Sequence, residues 1–276
     1  MQENPKPPET AEEIEQLVRR ILMAVEGILD RNQRSYALAG KLRRLPAAVI
    51  LEIFRVVIRG AQRKEPLYQD GFRILSDIKR MSKHVGLTKM AEVYVLAQDK
   101  DYGEVVRLLK VAPAARSLGA EEELDEDPVL KEMTLGAKRQ NARTRNRDLI
   151  DRLCNDQDPM VIQHLLHNPV VTIREVVKIA AKRPTGAQVL WVIYRDARWV
   201  NHYVVKKALV NNPYTPTPIA LSLIHFLLEQ DLEDVAENML LHQLVRDQAV
   251  ELIMMKRKGD KPADPQGLDD GGDRQP

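Results

Sequence analysis

Ten residues, Tyr194-Arg-Asp-Ala-Arg-Trp-Val-Asn-His-Tyr203, concentrate the recognition chemistry of this sequence. Trp199, Tyr194 and Tyr203 supply flat rings, and Arg195, Arg198 and His202 supply cationic or hydrogen-bonding groups beside them. Rings next to guanidinium groups can stack on nucleic-acid bases or anchor a partner protein. The same tryptophan, with Trp191, can equally fill the gap between two layers of helices. A second stretch, Lys138-Arg-Gln-Asn-Ala-Arg-Thr-Arg-Asn-Arg147, carries five cations in ten residues: Lys138, Arg139, Arg143, Arg145 and Arg147. Such a run suits contact with phosphates, each of which releases a counterion on binding, or with an acidic partner. It has no interleaved aromatics, and it follows an acidic run with which it can pair.

Other chemistry is sparse. His164 and His167 are spaced to share a helix face, as metal ligands do, yet only Asp158 stands near as a third ligand. Histidines in a last helical turn are also favoured by the helix dipole, and that is the reading adopted here. Cys154 is the sole cysteine, which excludes an internal disulfide and a multi-cysteine metal site. A lone thiol followed by Asn155-Asp156 is expected to be inert. The sequence has no glycine-rich phosphate loop and only five serines, none at a nucleophile elbow. No catalytic residue, metal ligand or cofactor is assigned.

The elements that must position these residues are helices. Aromatics are 4% of the 276 residues, so the core has to be aliphatic, and alternating β-branched runs are few. Residues 1–9 are a proline-rich polar lead without the apolar segment of a signal peptide. Thr10 and Glu13 form a capping-box pair ahead of a helix striped by Ile14, Leu17, Val18, Ile21, Leu22, Val25, Ile28 and Leu29. That stripe is wide enough to allow homo-oligomerisation. Five more helices are predicted over 33–45, 46–60, 68–85, 88–98 and 102–111, with Gly60 and Gly86 as stops. The run Glu121–Asp127 places six carboxylates in seven residues, the composition of a solvated linker. The expected organisation is therefore a disordered lead at 1–9, a helical N-terminal domain at 10–112, an acidic linker at 113–130, a second domain at 131–257 and a disordered tail at 258–276. The most apolar stretch, Val49 to Ile58, is interrupted by Glu52 and Arg55 and is too short to cross a bilayer, so a cytoplasmic location is expected.

The second half is repetitive. Leu165-Leu-His-Asn-Pro-Val-Val-Thr172 and Leu209-Val-Asn-Asn-Pro-Tyr-Thr215 are two versions of one phrase. The apolar pair reads as the last buried turn of a helix. Asn tolerates the left-handed conformation that ends it, and Pro prevents continuation. Thr172, and Thr215 or Thr217, are placed to cap the following helix. Apolar stripes between these marks, among them Leu232, Val235, Ala236, Met239 and Leu240, start a new helix roughly every 13–16 residues. On these features the stretch from about Thr134 to Met255 resembles the HEAT-like and leucine-rich-repeat-variant α-solenoids of bacteria. The resemblance implies a stack of short helix pairs and, since such solenoids mostly act as binding scaffolds, a scaffold function.

The expectation from sequence is an all-α protein, a helical N-terminal domain joined to a HEAT-like α-solenoid. Its function is read as a non-enzymatic protein-protein interaction scaffold or adaptor, with Tyr194, Arg195, Arg198, Trp199, His202 and Tyr203 as the partner-binding cluster. The alternative is a nucleic-acid-binding HEAT-like module using residues 138–147 and 194–203, by analogy with solenoid glycosylases that bind damaged DNA. A net charge of +2, from 42 basic and 40 acidic residues, favours the scaffold.

Overall fold

The computed structural model describes residues 10–63, 65–110, 112–118 and 127–259. The expected lead at 1–9, most of the acidic run and nearly all of the tail lie outside them. The described chain is all-helical, with eighteen helices and no strand.

Seven helices build the first half: α1 (Ala11–Glu26), α2 (Arg31–Leu42), α3 (Ala47–Gln62), α4 (Pro66–Leu75), α5 (Ile78–Val85), α6 (Leu87–Asp99) and α7 (Gly103–Leu109). Thr10 and Glu13 close the capping box that starts α1. The α1 stripe is buried through Val18, Ile21, Leu22 and Val25 against α2, α3 and α4, so its own chain covers it. Ile28 and Leu29 fall beyond the helix end, and Leu29 is almost wholly exposed. The helix expected over 68–85 is two helices, because Asp77 caps a fresh start: its carboxylate accepts from Arg80 N at 3.4 Å and its ψ of 66° is not helical. Gly60 does not stop α3. It sits inside the helix, and a Cβ there would lie 2.4 Å from Cγ of Tyr68, so the missing side chain lets α4 close on α3. Gly86 does end α5, with φ of 115°.

The second half follows as α8 (Pro128–Lys131), α9 (Leu135–Asn141), α10 (Arg147–Leu153), α11 (Pro159–His167), α12 (Ile173–Ala181), α13 (Ala187–Arg195), α14 (Ala197–Val200), α15 (Tyr203–Asn211), α16 (Thr217–Ile224), α17 (Glu229–Glu237) and α18 (Gln243–Gly259). Asp127 and Asp158 each cap a helix that opens on proline. Thr172 caps α12 through a capping box with Glu175. Neither Thr215 nor Thr217 caps α16. Pro216 holds the cap position, and the Thr217 hydroxyl instead donates to the carbonyl of Pro113.

A common sequence step links partners along this half. Lys178 reaches Asp151 at 27 residues, and Arg183 reaches the Asn211 carbonyl, Tyr203 reaches Asp231 and Arg257 reaches Glu229 at 28. Each step spans about two of these short helices.

The core is divided between the halves. One apolar cluster runs from Leu130 to Ile253 and the other from Val18 to Leu109, with Phe226 of the second half packed on the latter.

Candidate functional site

The Asn-Pro phrase acts through its side chain. Asn168 and Asn212 end α11 and α15, as their positions in the phrase suggest, but in extended backbone (φ −71°, ψ 125° and φ −89°, ψ 116°) and not left-handed. Both are buried. Asn168 Nδ2 donates to the carbonyls of Ala142 and Thr144 at 2.9 and 2.7 Å, and Asn212 Nδ2 donates to those of Ala180 and Lys182 at 2.8 and 2.9 Å. Their Oδ1 atoms accept from Val170 N and Tyr214 N. Each asparagine therefore satisfies orphan carbonyls at the end of an earlier helix, a stronger requirement than tolerance of a turn.

The two candidate stretches meet the same helix, α11. Asn168 holds the turn carrying Arg143 and Arg145, and one turn of α11 touches both regions: His164 meets Arg143 Nη2 at 3.1 Å, while the Leu166 carbonyl accepts from Trp199 Nε1 at 2.9 Å. Within the basic stretch, however, most cations are already engaged. Lys138 pairs with the buried carboxylate of Asp156 at 3.0 Å, Arg139 with Asp158 at 3.3 Å and Arg147 with Glu175 at 3.6 Å. Arg143 and Arg145 have no carboxylate partner among the described residues. Among the described residues, the carboxylates that pair with the stretch, Asp156, Asp158 and Glu175, lie downstream of it.

The Arg/aromatic cluster is divided between interior and surface. Tyr194 is fully buried and Trp199 is 3% exposed, so neither ring is presented to a partner. Both serve the interior: Trp199 caps the end of α11, and the Tyr194 hydroxyl donates to the Arg73 carbonyl at 3.2 Å and accepts from Ser222 Oγ. Tyr203 is half-buried. Its hydroxyl donates to the buried carboxylate of Asp231, and it accepts from Leu228 N at 3.1 Å; Lys207 Nζ donates to the same Asp231 at 2.5 Å. Burial, then Asp231, pushes the Tyr203 phenol up to about 12, and Lys207 and Tyr203 hold the Asp231 carboxyl below its ordinary value. Arg195 pairs with Asp77 at 3.0 Å and lies over the Trp191 ring, 4.7 Å from its centroid. Only Arg198 and His202 remain on the surface.

Three residues of the stretch bind the first half of their own chain. Besides Tyr194 on Arg73 and Arg195 on Asp77, Asn201 accepts from Arg73 Nη1 at 2.8 Å. The joint extends through Phe72, whose ring meets Phe226 at 6.3 Å and the edge of His225 at 5.6 Å. Gln62 Nε2 lies 3.1 Å from His225 Nδ1, and Arg107 reaches Gln248 and Glu251. Sequence reasoning missed Arg73, Asp77, Phe72 and His225, because the joint's partners are 118 to 163 residues apart in sequence and share no local pattern.

The remaining candidates are interior or isolated. Cys154 is buried and its thiol is pushed up to about 12 by that burial, far from a thiolate. His164 is held below its ordinary pKa by burial and then by Arg143, and His167 Nδ1 lies 2.7 Å from the Gln163 carbonyl. Among the described residues no three His, Cys, Asp or Glu side chains gather as a metal site, and no helix is long and apolar enough to cross a membrane. No family model, curated protein or solved structure matches the chain.

Exposed apolar side chains recur in and beside α17 and α18. The stripe expected to bury Met239 and Leu240 ends early, because α17 stops at Glu237, and both residues face solvent, Met239 at 78%. Leu228 before α17 and Val250, Met254 and Met255 on α18 are exposed as well.

Proposed function

We propose that the chain is a non-enzymatic protein-interaction scaffold acting in the cytoplasm, its second half a HEAT-like stack whose last helices receive a protein partner. The observation that carries this reading is the exposed apolar set Leu228, Met239, Leu240, Val250, Met254 and Met255. Exposed apolar side chains on the outer helices of a stack mark a surface that another protein covers. Methionine is suited to that task, being unbranched and able to repack against varied surfaces. The recurrence of polar ties at 27 or 28 residues supports the repeat reading. Against a phosphate track stand the ion pairs that occupy Lys138, Arg139 and Arg147.

The test is crosslinked affinity capture from cells, with and without nuclease, comparing the unmodified chain with Met254→Glu/Met255→Glu and with Arg143→Glu/Arg145→Glu. All four positions are exposed, so the fold is kept. A protein lost only from the methionine variant, and retained after nuclease, is the expected result. Recovery that depends on Arg143 and Arg145 and disappears with nuclease would establish the nucleic-acid reading instead.

A further inference from the structure

A pocket of about 430 Å³ lies at the joint between the two halves. Its walls come from Ile78 and Lys79 of α5, from residues 112–118, from Trp191 of α13, and from Tyr214 and Pro218 around the start of α16. That volume falls within the range of small-molecule sites, roughly 300–1,000 Å³. The walls are pre-shaped. The 112–118 segment is tied down at two points, Arg116 N donating to the Pro213 carbonyl at 3.0 Å and Thr217 Oγ1 donating to the Pro113 carbonyl at 2.5 Å. Prolines 113, 216 and 218, each with a fixed φ, stiffen the rim. Arg195 over the Trp191 ring, and Tyr194 at 5.6 Å edge-on to it, hold that indole in place.

The charge of the lining is one-sided. Among the described residues it contains two cations, Lys79 and Arg116, and no carboxylate. Neither cation has an ion-pair partner among the described residues, although Asp77, two positions from Lys79, is shared between Arg80 and Arg195. An apolar, aromatic-walled pocket with two exposed cations, neither ion-paired among the described residues, fits a ligand with an apolar body and a single anionic end.

We propose that this pocket is a binding site for a small amphipathic carboxylate, an aromatic or medium-chain aliphatic acid whose body lies against Trp191 and whose carboxylate meets Lys79 and Arg116. Since the walls come from both halves, the bound acid also tightens the joint.

The proposal is tested on the full chain with 4-phenylbutyrate and octanoate as probes and 4-phenylbutanamide as the neutral isostere, read by titration calorimetry and by tryptophan emission. Saturable binding of at least one acid at a single site is expected, with the amide weaker by about tenfold or more, as loss of a charge-assisted contact implies. Lys79→Met/Arg116→Met should erase the preference for the acid, and Ala187→Trp, which fills the pocket from its rim, should abolish binding of all three probes. Circular dichroism confirms that each variant is folded; Lys79, Arg116 and Ala187 are all exposed. Absence of saturable binding by both acids overturns the proposal, including the case where an acidic peptide binds in their place. So does equal binding of acid and amide, or binding unaffected by Ala187→Trp.

Discussion

His225 shows how one side chain can report on the joint. It lies between α3, α4 and α7, with Gln62 on its Nδ1, Phe72 against its ring and the Arg107 guanidinium nearby. Burial, and then Arg107, pushes its pKa from 6.5 down to about 4. The folded state therefore favours the neutral ring. That contribution is fully present above the unfolded value and is lost as pH falls from about 6.5 to about 4, where the unfolded chain binds the extra proton. Thermal unfolding of the unmodified chain should steepen in its pH dependence across this window, by at most about 1.4 kcal/mol per pH unit. His225→Leu should flatten it; an unchanged profile would mean that the ring titrates freely. Nothing around His225 in the sequence signals this, since Gln62 is 163 residues away. By contrast, the Thr10–Glu13 capping box could be read from spacing alone.

Elements were legible where their signals are local. Proline at the first position of α11, the Thr172 capping box and the leucines before each Asn-Pro, all buried, follow from rules that act within one or two turns. Boundaries set by tertiary packing were not legible. Gly60 looked like a stop and is a contact point for Tyr68, and the stripe through Met239 and Leu240 ran past the true end of α17. The role of Asn168 and Asn212 was half legible: the phrase marked helix ends, whereas the carbonyls they serve lie 24 to 32 residues earlier. Removing that amide leaves two buried carbonyls short of a donor. Asn168→Ala and Asn212→Ala should each cost about 2–3 kcal/mol in urea unfolding, and Asn→Asp should not rescue, since a carboxylate has no N–H to give. Asn238 accepts from Leu240 N, and no donor bond of its amide is seen among the described residues, so Asn238→Ala should cost under about 1 kcal/mol. Equal losses at all three sites would show that the phrase works through turn conformation alone.

At the scale of the whole molecule, the cluster at 194–203 joins two halves that the sequence presented as tethered domains. Tyr194, Arg195 and Asn201 meet Arg73 and Asp77, while Phe226 enters the core of the first half. Much of the strongest recognition signal in the sequence is thus consumed inside the chain, and the surface proposed for a partner is instead the exposed methionines and leucines in and beside the last two helices. Hydrogen exchange tests this claim directly, by changing one half and reading the other. In Arg195→Ala/Asn201→Ala the peptide covering residues 70–80 should exchange several-fold faster than in the unmodified chain, because its opening is no longer resisted by α13 and α14. Unchanged protection of 70–80 would contradict the account, leaving Arg195 and Asn201 free to bind a partner from outside.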